Sequence, residues 1–151
     1  MSKAAGAEGM VGGQVIDMQS ENKKIDIQTL KKMHAAKTGA LFCAAIRSGA
    51  ILAGADEKQL ANLTEYARQF GLAFQITDDI LDVVGDEKTI GKPVGSDEKN
   101  HKSTYVTLGS LESAKALAQE AVDKAKASLV DFGENAEFLR ALVDYLITRN
   151  K

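Results

Sequence analysis

Apolar residues recur along most of this chain at helical spacing, and the alternation of a half-buried strand is hard to find anywhere. The first thirteen residues are the exception. Gly6, Gly9, Gly12 and Gly13 crowd a segment that reads either as a loop or as a helix packed very close to another backbone. A polar stretch from Ser20 to Lys24 reads as a connection, after which Asp26 or Thr29 caps a long helix running to about Gly54. A second helix starts near Asp56 and Glu57 and continues to about Val84. Residues 85–103 form a charged, glycine-bearing loop around Pro93, the chain's one proline. From Ser110 to Phe132 a stripe of Leu111, Ala114, Ala118, Ala121, Ala125 and Leu129 marks an amphipathic helix, ended by Gly133. A last helix from about Glu134 is expected to bury Leu139, Leu142, Val143 and Leu146. The expected fold is all-α, in one domain spanning residues 1–151.

The second helix holds the polar residues that break the pattern. At 100° per residue, Leu60, Leu63, Ala67, Phe70, Phe74 and Leu81 share one stripe, and Leu72, Ile76, Ile80 and Val83 lie opposite. Between residues 70 and 84 the helix is thus apolar nearly all round, which predicts a central, buried position. Asp78 sits one turn beyond Phe74 at the edge of the first stripe, with Gln75 and Asp82 beside it and Asp79 next in sequence. One reading is that Asp78, Asp79 and Asp82 face solvent at a helix end. The other is that they ligate a cation, because carboxylates one turn apart on an apolar helix are costly without compensation. Their charge also opposes the dipole of a helix carboxy terminus. Oxygen ligands at i and i+4 suit Mg²⁺ shared with a phosphate.

The first long helix carries the complementary anomaly. Leu30, Met33, Leu41 and Ala44 form its apolar stripe, and Lys37 falls in the middle of it, followed by Thr38 and Gly39. Either the lysine stem packs while its ammonium reaches the surface, or the ammonium points into a cavity that binds an anion. His34 lies near the same face and reads first as a hydrogen-bonded structural residue. Lys92, Lys99 and Lys102 follow in the charged loop, where Gly91 and Gly95 permit tight turns. By itself this is a solvated loop; directly after an acidic helix end it is placed to close over a phosphate.

Composition narrows the classes. With 19 basic and 21 acidic residues the chain has a net charge of −2, so no broad basic surface argues for nucleic acid or an anionic membrane. No apolar run approaches the ~20 residues of a membrane span, and the amino terminus lacks the apolar core of a secretory signal. Cys43 is the lone cysteine and forms no internal disulfide. A cytoplasmic protein fits these features. There is no P-loop and no Ser/His/Asp arrangement, which argues against nucleotide enzymes and serine hydrolases.

Five segments together resemble the trans-isoprenyl diphosphate synthase family, and most nearly its farnesyl diphosphate synthase (geranyltranstransferase) type. Phe74-Gln75-Ile76-Thr77-Asp78-Asp79-Ile80-Leu81-Asp82 is similar to that family's second aspartate-rich motif. Gly12-Gly13-Gln14-Val15-Ile16-Asp17 resembles its Gly-Gln-x-x-Asp segment and Lys37-Thr38-Gly39 its Lys-Thr-Gly element. The 91–97 run and Lys102-Ser103-Thr104 resemble its lysine-bearing loop.

The resemblance implies an antiparallel helical bundle of the isoprenoid synthase type and Mg²⁺ held by Asp78, Asp79 and Asp82. It implies that Lys37, Lys92 and Lys102 hold an allylic diphosphate, with Thr38 and Gln75 beside the reacting carbon and Gln14 and Asp17 lining the cavity. The implied reaction condenses isopentenyl diphosphate with that allylic diphosphate, geranyl to farnesyl, in a homodimer. The family's first aspartate-rich motif has no counterpart here. The chain is therefore expected to be the carboxy-terminal half of such an enzyme, inactive alone. The alternative is a non-catalytic helical module that binds diphosphate or a protein partner.

Overall fold

A computed structural model describes residues 1–85, 95, 97 and 102–149. Among these the chain is helical and has no strand. In chain order the helices are α1 (Ser2–Ala5), α2 (Met10–Ser20), α3 (Ile27–His34), α4 (Ala40–Leu52), α5 (Glu57–Val84), α6 (Tyr105–Leu108), α7 (Leu111–Ala127) and α8 (Glu137–Thr148). A five-residue π-helical turn, Ala35–Gly39, joins α3 to α4, and a 3₁₀ segment, Val130–Ala136, precedes α8.

Local chemistry fixes most starts. Asp26 accepts a bond from the Thr29 N–H at the head of α3. Asp56 and Gln59 form a reciprocal capping box at α5, as do Ser110 and Ser113 at α7; each satisfies amide groups that the first helical turn leaves without partners. The end of the α7 region differs from expectation. The α-helix stops at Ala127, the chain tightens into 3₁₀ geometry, and Gly133 turns it with φ +54° before α8 begins. The short helix α6 was not expected from the sequence.

Helix α5 is the axis of the molecule and packs chiefly on α7 and α4. Between Phe70 and Asp82 none of its residues is exposed, as its all-round apolar sequence requires. One core cluster joins Tyr66, Phe70 and Ala73 to Ala121, Val122, Ala125, Leu129, Val143 and Leu146. A second joins Ile76 and Ile80 to Leu30, Met33, Tyr105, Ala114 and Ala118. Four buried alanines of α7, Ala114, Ala118, Ala121 and Ala125, recur at i, i+4, i+7 and i+11, and their small side chains let that helix lie close along α5. Phe42 packs edge-on to Phe70 with ring centres 5.0 Å apart, and 5.4 Å from Phe74.

Four expected burials fail in whole or in part. Val83 is 52% exposed beyond the last packed turn of α5, and Leu142 on α8 is 36% exposed, so that helix is held by Val143 and Leu146. Leu41 and Ala44 are only half-buried. The π turn explains them: one extra residue per turn rotates the following helix by about 100°, and the face of α4 that meets the core becomes Phe42, Ile46 and Ala50. Ile27–Leu52 is also long and apolar enough, by length and composition, to cross a membrane, and most of it is not buried. Its polar residues interrupt any continuous apolar run, so the sequence reading found no span. Gly71 brings α5 against the π turn; a Cβ there would stand 3.2 Å from the Gly39 Cα.

Candidate functional site

The polar side chains of α2, the π turn, α5 and the segment before α6 converge on one cavity of about 310 Å³. Asp17, Lys37, Thr38, Gln75, Asp78, Asp79, Asp97 and Lys102 line it, with Met33, Phe74, His34, Ser103 and Thr104 completing the wall. Asp17 lies one turn after Gly13 on the buried face of α2. Its carboxylate accepts a bond from Lys37 Nζ at 2.6 Å, and Lys102 Nζ stands 3.9 Å from the same oxygen. Two ammonium groups from elements 65 residues apart thus meet at one buried anion. The Lys37 ammonium thus faces the cavity with its head on a buried carboxylate.

Lys37 and Thr38, neighbours in the π turn, both reach the cavity. Thr38 Oγ1 donates to Gln75 Oε1 at 3.3 Å, and Gln75 Nε2 donates to Asp79 Oδ1 at 3.3 Å. The other Asp79 oxygen accepts the Tyr105 N–H at 2.8 Å. Burial pushes the Asp79 carboxyl up to about 7, against the lowering effect of the Tyr105 and Gln75 bonds. Asp79 therefore anchors the start of α6 to α5 as well as flooring the cavity.

The three aspartates expected to act together are placed differently. Asp78 and Asp79 line the cavity. Asp82 is buried outside that lining; its Oδ2 accepts from the Asp97 N–H at 3.0 Å and its carbonyl from the Gly95 N–H at 2.8 Å. Among the described residues no three His, Cys, Asp or Glu side chains are grouped to hold a metal ion by themselves. The donor set still fits Mg²⁺: Asp78 and Asp79 offer hard oxygen ligands beside two lysines, and this ion commonly takes one or two carboxylates and completes its shell with water and phosphate. Gln14, half-buried one turn before Asp17, does not line the cavity. Lys92 and Lys99 lie outside the described residues.

Asp97, Phe74, Ser103 and Thr104 line the cavity without standing out as cavity residues in the sequence. His34, expected to be a hydrogen-bonded structural residue, lines the cavity too, and its buried Nδ1 has no hydrogen-bond partner among the described residues. Burial lowers its pKa to about 4, so the ring is neutral at pH 7. Arg149 was also missed. Its guanidinium carbon lies 4.9 Å from the centre of the Phe74 ring and its Nη2 donates to Thr77 Oγ1 at 3.1 Å. No sequence signal finds such a pair, because 75 residues separate its members.

The polyprenyl synthetase family model matches residues 4–139. Over 150 residues the chain is 47% identical to the dimethylallyltranstransferase of Fischerella ambigua, covering 99% of this chain and 43% of that protein. It is 45% identical over 155 residues to the farnesyl diphosphate synthase of Escherichia coli, covering 100% and 52% respectively. Among solved structures, a geranyltransferase from Helicobacter pylori complexed with magnesium and isoprenyl diphosphate superposes with a TM-score of 0.81 at 30% identity, over 97% of this chain and 48% of that one. The chain spans about half the length of the curated relatives it matches.

Proposed function

The chain belongs to the polyprenyl synthetase family, and from that premise we propose that its cavity is the allylic-diphosphate side of a magnesium-dependent trans-prenyltransferase site. The reaction would condense isopentenyl diphosphate with an allylic diphosphate; the names of several relatives favour farnesyl diphosphate as the product. One observation carries the reading. Lys37 and Lys102 meet at the buried Asp17 carboxylate in the same cavity that Asp78 lines, so the fold already gathers two cations around an anion where a diphosphate would sit.

Each residue then has a chemical task. Lys37 and Lys102, with Lys92 by resemblance, hold the diphosphate oxygens and stabilise the negative charge that grows on them as the bond to the allylic carbon breaks. Asp78 and Asp79 are the side chains that would hold Mg²⁺, supported by Asp82 through its bonds from the Gly95 and Asp97 N–H groups. When bound, that ion neutralises diphosphate charge and so improves the leaving group. Thr38 and Gln75 turn side-chain oxygens to the cavity, fixed by each other and by Asp79, beside the carbon that becomes positive. Met33 and Phe74 keep water from that carbon. Asp17 sets the height of Lys37, and Gln14 supports the Asp17-bearing face of α2.

The 151-residue chain contains a single aspartate-rich motif of this kind. The proposal accordingly includes no turnover by this polypeptide alone; it also includes a cytoplasmic location and self-association. Val11, Val15 and Met18, exposed at i, i+4 and i+7 on α2, support the last. Titration calorimetry with Mg²⁺ and pyrophosphate tests the site: magnesium-dependent binding is expected, abolished by Asp78→Ala and weakened by Lys37→Ala. Silence from the wild-type protein would remove the reading. Conversion of geranyl and isopentenyl diphosphates by the purified 151-residue chain would remove the inactivity clause.

A further inference from the structure

The wall of the cavity formed by Lys102 and Ser103 has a second side. A shallow hollow of about 470 Å³ lies behind it, lined by Asn22, Lys23, Lys24, Lys102, Ser103 and Thr107, with Leu108 at its edge. The connection between α2 and α3 forms one rim and the segment entering α6 the other; the Ile25 N–H clips them together by donating to Ser103 Oγ at 3.3 Å.

The two hollows differ in charge. Among the described residues, four carboxylates and two lysines line the inner cavity, and three lysines and no carboxylate line the outer one. Lys23 and Lys24 make no ion pair among the described residues, and Glu21, next along the chain, faces a small hollow behind Asp17 instead. An anion without a bound cation is repelled by the inner set and attracted by the outer one. Ser103 Oγ, already accepting from the Ile25 N–H, keeps its own proton to donate, whereas the Thr107 hydroxyl is held by Thr104 at the start of α6.

The geometry points to the outer hollow as a second anion site, one that takes a free pyrophosphate-type polyanion without metal. Lys23 and Lys24 are its private ligands and Lys102 is shared with the cavity. Lysine ammonium groups on flexible stems suit such a ligand, because they follow a polyanion in several orientations. Sharing Lys102 makes the two sites neighbours across one side chain. A pyrophosphate leaving the inner cavity has its next cationic partners directly outside.

Calorimetry with inorganic pyrophosphate in EDTA tests this on the intact chain. The wild type is expected to bind one equivalent without metal. The double variant Lys23→Ala, Lys24→Ala should weaken that binding at least tenfold, while Asp78→Ala does not weaken it and the double Lys→Arg variant retains it. Amide shifts on titration should move at Asn22–Ile25 and Thr107 rather than at Gln75–Asp79. Absence of metal-free binding, or equal affinity in the double alanine variant, overturns the proposal. Because the inner site is read with magnesium and Asp78→Ala, the failure of one assignment leaves the other standing.

Discussion

Gly13 and Lys37 meet backbone to backbone: a Cβ placed on Gly13 would overlap the amide nitrogen and Cα of Lys37. This contact, rather than loop flexibility, accounts for at least part of the glycine density of the first thirteen residues. It seats α2 against the π turn and thereby brings Asp17 within 2.6 Å of the Lys37 ammonium.

Gly13→Ala is therefore expected to push α2 away from the π turn. Overpacking a tight contact typically costs about 1–3 kcal/mol, and here the obstacle is backbone, so the loss should lie at the upper end. Chemical denaturation measures it. Magnesium-dependent pyrophosphate binding should fall with it, because Lys37 loses its fixed position; a variant with unchanged stability would contradict the contact.

Asp79 makes a second expectation. Asp79→Ala removes the acceptor of the buried Tyr105 N–H, and a buried donor left without a partner costs about 1–3 kcal/mol. Amide exchange at Tyr105 should accelerate by more than the global loss of stability explains. Equal protection at Tyr105 in both proteins would show that the bond does not hold α6.

His34 sets a pH dependence. Its folded pKa is near 4, lowered by burial from an ordinary 6.5. The unfolded chain takes up the proton first, so this residue's contribution is complete above pH 6.5 and is lost as pH falls towards 4. Two to three pH units correspond to a loss on the order of 3 kcal/mol. His34→Gln should flatten the stability profile between pH 6.5 and 4, measured by urea midpoint; an identical slope would refute the assignment.

Arg149 ties the end of α8 to the cavity wall through Phe74 and Thr77. The chain has no tryptophan, so Phe74→Trp installs a single fluorescent reporter under the guanidinium. In that background Arg149→Ala is expected to shift the emission and raise acrylamide quenching, with a stability loss of about 1 kcal/mol from the cation–π contact. Unchanged spectra would mean that the ring and the guanidinium do not meet in solution.

Much of the helical frame was legible along the chain because its determinants are local. Of the two cap candidates for α3 it is Asp26 that bonds the first turn, and α5 and α7 start where expected, behind Asp56 and Ser110, since a capping side chain bonds amides within three residues. The alanine stripe of α7 and the buried all-round face of α5 followed from periodicity, which directly reports which faces are covered. The end of α7, the start of α8 and the exposure of Leu142 were not legible. They depend on how the 3₁₀ segment turns at Gly133.

The sequence alone determined that this is a helical protein, that Asp78 and Lys37 are polar residues on apolar helix faces, and which family carries that pattern. Only the tertiary structure decided that Asp17 pairs with Lys37, that Asp79 and Asp82 hold the backbone of later segments, and that Lys102 separates two hollows of opposite charge balance. The π turn shows the physical reason. Periodicity extrapolates one rotation per residue, and a single inserted residue at Ala35–Gly39 resets every angle beyond it. What an aspartate or lysine does is set by the groups that arrive opposite it from distant parts of the chain, and spacing along one helix does not contain them.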